Sequence, residues 1–195
     1  EGINKFYETR YVYTNHKNDS AKQEMKSKLM SYDLISKTKT INHRRNQYYG
    51  YLSGARRNTD QSPDLSSDKI SIANYQNDVY YKSSISFDYL KSYLGDSIFD
   101  NCMKEYFDKW KFRHPQPDDL QQVFERVSGK NLDWIFIDLL QTTKKLDYKI
   151  MCAHLKDANT VELEIKNTGG INGPVSLCEI KNEKNVSTNW IEGFR

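Results

Sequence analysis

A tyrosine and a lysine two positions apart, Tyr80 and Lys82, stand at the entry to a predicted helix, directly before two serines. Small residues at a helix entry allow another element to approach the backbone closely. A tyrosine hydroxyl is neutral at pH 7, because its ordinary pKa is about 10, and it can donate a hydrogen bond into a cleft. From the residues alone, Tyr80 is either such a donor or a tyrosine packed at the mouth of a helix.

The helix that positions Tyr80 is predicted from the apolar spacing that follows it. Apolar residues recur at Phe87, Leu90 and Leu94, and Gly95 supplies a stop. The preceding residues 56–75 are rich in Asn, Thr, Asp, Ser and Pro and show no sustained period, which predicts a long ordered loop. Tyr75 near the end of this loop either lines a substrate cleft or serves packing.

The other predicted helices also follow from apolar residues at helical spacing. Asp96 is expected to be the N-cap of one of them, and Ser128-Gly129 is expected to end the helix that Asp118 and Asp119 open. The predicted helices cover residues 1–14, residues 20–30 with Asp19 or Ser20 as N-cap, and residues 34–52, 96–110, 118–128 and 132–140.

The character of the sequence changes near residue 146. Residues 148–154, 161–165 and 175–180 alternate between apolar and polar side chains, and Asn167-Thr-Gly-Gly170 supplies turn chemistry. The predicted fold class is therefore mainly α, with a helical bundle over residues 1–145 followed by a small antiparallel β-sandwich-like segment over residues 146–195. We expect the chain to be a piece of a longer protein and the β segment to be the start of a domain.

Composition excludes several classes of function. The 195 residues are 37% hydrophobic, which suffices for a core, and the net charge of +3 comes from basic pairs scattered among acids, which disfavours nucleic-acid binding. No apolar run approaches the ~20 residues needed to span a bilayer, so membrane insertion is not expected. The three cysteines suit neither a zinc knuckle nor a disulfide framework, so they do not indicate the cellular compartment. The sequence does not indicate the oligomeric state either.

An ordered set of motifs resembles the aminopeptidase N family of zinc metallopeptidases, the gluzincins that include leukotriene hydrolases. The set consists of Val79-Tyr-Tyr-Lys-Ser-Ser84, Leu90-x-x-x-Leu94-Gly95, Phe112-Arg-His-Pro115, Ser128-Gly129 and Leu146-Asp-Tyr148, together with Glu1-Gly-Ile-Asn-Lys-Phe6 at the start. The resemblance implies the C-terminal half of a thermolysin-like catalytic domain and the start of the β domain that follows it.

The resemblance also implies roles for two residues. Glu1 matches the glutamate that serves as the third zinc ligand, and Tyr80 matches the tyrosine that stabilises the oxyanion formed from the peptide carbonyl. Ser83 and Ser84 stand where the family usually has Gly-Ala, so small size is retained. The His-Glu-x-x-His helix and the Gly-x-Met-Glu-Asn motif of the exopeptidase members do not occur in this sequence.

Two classes of function follow from these observations. The first is a part of a zinc-dependent aminopeptidase that hydrolyses peptide bonds near the N-terminus of peptide substrates, with one zinc ion in the full-length parent. This chain alone is then expected neither to hold zinc tightly nor to hydrolyse peptides, since a catalytic zinc needs three protein ligands. The second is a non-catalytic peptide- or protein-interaction module derived from the same fold.

Overall fold

A computed structural model of the chain describes residues 1–15, 43–157, 160–181 and 184–194. The chain divides into two compact units, Glu1–Asp88 and Tyr89–Arg195, which are described separately below. Within the described ranges, the regular elements as far as residue 139 are helices and those after it are antiparallel strands, so the predicted fold class is confirmed. In the described ranges, none of the helices combines the length and the apolar character that crossing a membrane requires.

The first unit is helical. The helix predicted over residues 1–14 is confirmed, while the break and helix predicted over residues 18–30 lie outside the described residues, as does the beginning of the helix predicted over 34–52. The helix that follows ends after Gly54 instead of before it. The elements of this unit are α1 (Gly2–Asn15), α2 (His43–Ala55), the short turn α3 (Ile72–Asn74), a π-helix, π1 (Tyr75–Lys82), and the start of α4 (Ser83–Leu94).

The segment before π1 is irregular, as predicted, but it is shorter than expected. Helical structure resumes at Ile72, because the Ser71 side chain caps the turn by accepting a hydrogen bond from the Asn74 N–H at 3.3 Å. Gln61 orders the loop from within: its Oε1 accepts the Ser71 N–H at 2.8 Å, and its Nε2 donates to the Lys69 carbonyl at 3.1 Å. The prediction of a loop reaching residue 75 was therefore wrong at its C-terminal end.

The second unit contains the rest of α4, then α5 (Asp96–Trp110), α6 (Pro117–Ser128) and a second π-helix, π2 (Trp134–Leu139). Gly95 stops α4 as predicted, with φ +83° and its N–H donating to the Lys91 carbonyl at 2.9 Å. The prediction that Asp96 caps α5 was wrong. Gly95 occupies the N-cap position, and Asp96 is the first helical residue, where its carboxylate pairs with Lys91 instead.

Both ends of α6 carry residues that are typical of helix caps. Pro117 occupies the first turn, and the Gln116 N–H donates to Asp119 Oδ2 at 2.8 Å in a capping box. Gly129 ends the helix, as predicted, in the left-handed conformation with φ +68°.

Three phenylalanines form the centre of the core of the second unit. The Phe124 ring lies 5.4 Å from the Phe99 ring and 5.9 Å from the Phe136 ring, measured between centroids. The edge-to-face packing of Phe99 and Phe124 stabilises these rings beyond the area that they bury. Other side chains of this unit that are fully shielded from solvent belong to Leu90, Cys102, Leu132, Ile135 and Ile171.

The C-terminal part of this unit consists of two antiparallel hairpins. Strand β1 (Tyr148–Asp157) pairs with β2 (Thr160–Asn167), and β3 (Val175–Lys181) pairs with β4 (Lys184–Ile191), so that two separate two-stranded sheets result. The three predicted strands are confirmed. Strand β4 was not predicted, because polar residues dominate it and its alternation is weak.

Glu192, the residue after β4, forms a polar triad with Tyr93 and Lys130. The Tyr93 hydroxyl donates to the Glu192 carboxylate at 2.8 Å, and Lys130 Nζ donates to that hydroxyl at 2.9 Å and lies 3.2 Å from Glu192 Oε1. The hydrogen bond from Tyr93, together with the weaker effects of the hydrogen bond and charge of Lys130, lowers the pKa of Glu192. The triad therefore favours the charged carboxylate in the folded chain.

Candidate functional site

The π-helix π1 carries Tyr80. Its wide turns are visible at its end, where the Ser83 N–H donates to the carbonyls of both Asp78 and Tyr80, five and three residues earlier. π-Helical turns are rare, and they occur frequently at functional sites, because the extra residue in the turn redirects the side chains around it. Nothing in the sequence period had indicated this winding.

The Tyr80 side chain is partly exposed. Its interaction with the Glu1 carboxylate raises the pKa of Tyr80 above the ordinary value, because ionisation would place a phenolate beside a carboxylate. Tyr75 contacts the same group, with its ring edge-on to the Tyr80 ring at 5.5 Å between centroids. The structure thus brings together Glu1, Tyr75 and Tyr80.

Glu1 reaches this position because α1 packs closely against the junction of π1 and α4. A Cβ added to Gly2 would lie 2.2 Å from the Ser83 Cβ and 3.3 Å from the Val79 carbonyl oxygen, so only glycine fits at this contact. Further along α1, the buried Phe6 ring lies 6.4 Å from the Phe87 ring. The expectation that small residues at this helix entry permit a close approach is confirmed, and the approaching element is α1.

Tyr81, the neighbour of Tyr80 in sequence, contacts a different helix. Its ring lies against Gly50 of α2, where an added Cβ would be 2.7 Å from the ring carbon Cδ2. The adjacent tyrosines therefore differ in their surroundings: Tyr80 lies beside Glu1, and Tyr81 packs against α2.

Sequence reasoning missed a cluster of charged groups beneath π1. Asp78 and Lys82 are 0% and 1% exposed, and Asp60 in the preceding loop is 9% exposed. Burial, followed by the charges of Asp60 and Asp78, raises the pKa of Tyr51 in α2. The sequence contains a signal for part of this cluster. Positions 86, 82 and 78 precede the buried Leu90 in steps of four, and this spacing places them on the same side of a helix as Leu90.

The described residues do not make up a zinc site. No group of three or more His, Cys, Asp or Glu side chains in those ranges is placed to hold a metal ion. A catalytic zinc takes three protein ligands, and Glu1 is the one residue here that the family pattern assigns to it. The donor set in the described part of the chain therefore does not fit a complete metal centre.

The comparisons with known proteins agree with the motifs. Residues 1–139 match the model of the peptidase family M1 domain, and the match includes Glu1, Tyr80 and all the helices described above. Neither the comparison with curated proteins nor the comparison with solved structures gives a match. Since the matched region is more than half of the 195 residues, the chain belongs to peptidase family M1.

Proposed function

We propose that this chain supplies two groups to the active site of a zinc-dependent aminopeptidase: Glu1 as one zinc ligand and Tyr80 as the donor that stabilises the oxyanion. The observation that carries the proposal is the close approach of α1 to the junction of π1 and α4, where a Cβ added to Gly2 would lie 2.2 Å from Ser83 Cβ. This approach brings Glu1 and Tyr80, which lie 79 positions apart in sequence, to the same junction. Membership of peptidase family M1 supports peptide-bond hydrolysis as the reaction class.

The role of Tyr80 follows from its protonation state. When water attacks a peptide carbonyl, negative charge develops on the carbonyl oxygen, and a hydrogen-bond donor placed in advance stabilises that charge. A phenol can act in this way only while it retains its proton. The raised pKa of Tyr80 keeps the hydroxyl protonated throughout the neutral range, so it serves as a donor and not as a base.

The role of Glu1 depends on ligands that this sequence does not contain. In the family the other two ligands are the histidines of a His-Glu-x-x-His helix, and the bound zinc supplies Lewis-acid chemistry at the reacting carbonyl. A single carboxylate is a poor site for a metal that also prefers nitrogen and sulfur donors. The chain alone is therefore expected neither to bind zinc tightly nor to hydrolyse peptides.

Zinc content of a full-length protein that contains this chain tests the proposal. Glu1→Gln should lose its zinc on dialysis, whereas Glu8→Gln should retain it. Glu8 is a matched control, because it lies on the same helix, is exposed and pairs with its neighbour Lys5 at 2.9 Å. Stoichiometric zinc in Glu1→Gln, or zinc-dependent turnover by the isolated chain, would show that the site is placed incorrectly.

A non-catalytic interaction module remains the second candidate, and the absence of a complete metal cluster from the described residues is the observation that favours it. The coding sequence immediately upstream of Glu1 separates the two. A His-Glu-x-x-His helix there supports the peptidase, because its histidines and glutamate are the parts that the chemistry still requires. A substituted or missing motif supports the module.

A further inference from the structure

A cysteine and a histidine on strand β1 are placed as a nucleophile and a base. The Cys152 Sγ lies 2.9 Å from the His154 Nε2, a distance at which a base can take a proton from a nucleophile. The two residues are two positions apart in the strand, and side chains at that spacing share one face of a sheet. The extended backbone of β1 therefore holds the thiol and the imidazole side by side.

A β-bulge determines which face of the first hairpin carries this pair. The pairing of β1 with β2 shifts just before Cys152, where β1 has one extra residue. Beyond the shift, Cys152 lies opposite Glu164. His154 lies opposite Glu162. Both glutamates are exposed, whereas positions 163 and 165 of β2 are half-buried, so without the extra residue Cys152 would be on the more shielded face. The bulge thus places the pair on the exposed face.

The three cysteines of the chain differ in exposure and in their neighbours. Cys102 is buried, Cys152 is half-buried and Cys178 is exposed. The Cys178 Sγ lies 3.6 Å from the hydroxyl oxygen of Thr188, and a hydroxyl is not a base that takes up a proton near neutral pH. Exposure alone therefore ranks Cys178 as the most reactive thiol, whereas a neighbouring base favours Cys152.

We propose that Cys152 and His154 form a thiol–disulfide exchange site that takes a small-molecule disulfide as its substrate. Cys152 is the nucleophile, and His154 is the base that accepts its proton. The proposal does not depend on the proposed function, because the roles of Glu1 and Tyr80 are measured by zinc content and kcat, whereas this site is measured by the modification of a thiol.

The exchange balances without any other reactant. As the Cys152 Sγ attacks one sulfur of the disulfide, the thiol proton passes to His154 Nε2. A bond forms between Cys152 Sγ and the attacked sulfur, and the S–S bond of the substrate breaks. The departing sulfur takes the proton from the imidazole and leaves as a thiol. The product is a mixed disulfide at Cys152, so the cysteine is oxidised as the departing half of the substrate is reduced.

Competition between the cysteines of the 195-residue chain tests the proposal. The probe is bis(2-hydroxyethyl) disulfide, which is uncharged, because the face that carries the pair has charges of both signs, from Glu162, Glu164 and the opposed lysines Lys149 and Lys166. Unreacted thiols are then blocked with iodoacetamide. Trypsin places the three cysteines on separate peptides, residues 92–104, 150–156 and 167–181, so that mass spectrometry follows each one.

At pH 7, Cys152 should form the mixed disulfide about ten-fold faster than the more exposed Cys178. A positioned base contributes about 10²–10⁴-fold in active sites, and we expect a smaller effect on a strand that solvent reaches. Cys102 should stay unmodified, because it is buried. Modification of Cys178 at the same rate as Cys152, or faster, would overturn the proposal, since exposure would then account for the order.

His154→Gln tests whether the imidazole is the cause. Glutamine is polar and of similar size but does not take up the proton, so the rate at Cys152 should fall about ten-fold while the rate at Cys178 in the same sample is unchanged. His114→Gln is the matched control: it removes another exposed imidazole, and both rates should be those of the wild type. Protection of Cys102 reports that each variant is folded. If Cys102 reacts in His154→Gln, the same measurement is made with His154→Asn, and an undiminished rate at Cys152 in a folded variant would overturn the proposal.

Discussion

The contact between Gly2 and Ser83 predicts that Gly2→Ala destabilises the chain. The alanine Cβ would lie 2.2 Å from the Ser83 Cβ, whereas ordinary contacts begin at 3.4 Å, so α1 must move by roughly 1.2 Å (3.4 − 2.2). Ser83 Cβ is fixed to the backbone of a helix and cannot swing aside. Overpacking of this kind costs about 1–3 kcal/mol.

Gly54→Ala is the matched control for Gly2→Ala. Gly54 is a helical glycine in the same unit, but its added Cβ would have ordinary contacts at 3.8 Å with Asp60. Without a clash, replacing glycine by alanine stabilises a protein by about 0.4–1 kcal/mol, because the unfolded chain loses freedom. The two substitutions should therefore change the urea midpoint in opposite directions at similar m-values.

The assignment of the clash to Ser83 is tested by a second-site change. Ser83→Gly should remove part of the cost of Gly2→Ala, with a coupling energy of about 0.5–3 kcal/mol, as expected for residues in contact. Ser84→Gly, which alters the next buried serine, should show no such coupling with Gly2→Ala. If Gly2→Ala is as stable as the wild type, or if both serine variants couple equally, the close approach of α1 has been misassigned.

Two further predictions concern the second unit. Phe124→Ala should lower the free energy of unfolding by about 3–5 kcal/mol, because Phe124 is fully shielded, whereas Phe107→Ala, at a 63% exposed position, should stay within about 0.5 kcal/mol of the wild type in the same urea assay. The depressed pKa of Glu192 means that its carboxylate stabilises the folded chain above the ordinary value of 4.5 and loses that contribution as the pH falls through the lower folded value. The wild type should therefore lose more stability than Glu192→Gln between about pH 6 and about pH 3, and equal losses would contradict the assignment.

Helical and strand periods predicted most of the fold. The apolar positions Phe87, Leu90 and Leu94 are buried as expected, and glycine ended helices at both predicted places, because Gly95 and Gly129 adopt positive φ angles that other residues rarely adopt. These features depend on local physics, which a single sequence contains. The change from helix to strand near residue 146 is of the same kind.

The features that were not predicted have different physical reasons. A π-helical turn has no periodic signature of its own, so the winding of π1 was not visible. Lysine side chains are usually exposed, so the burial of Lys82 was not expected. It depends on α2 and the loop, which supply Tyr51 and Asp60 beneath it. The prediction that Asp96 caps α5 failed because Gly95 occupies the N-cap position and Lys91 pairs with the Asp96 carboxylate.

The convergence of Glu1 and Tyr80 could be expected only through the family resemblance, since nothing local relates residue 1 to residue 80. The physical basis of the close approach appears in the fold: a glycine at position 2 lets α1 approach Ser83 at the junction of π1 and α4.

The most direct test of the proposed role of Tyr80 is the kcat of a full-length enzyme that contains this chain and carries Tyr80→Phe. The loss of one oxyanion donor should lower kcat by roughly 10²–10³-fold while the zinc content stays unchanged. Tyr81→Phe is the matched control, because it removes the same hydroxyl from the adjacent residue, which packs against Gly50, and it should retain kcat. Full activity in Tyr80→Phe would contradict the account and leave the phenol with a packing role alone.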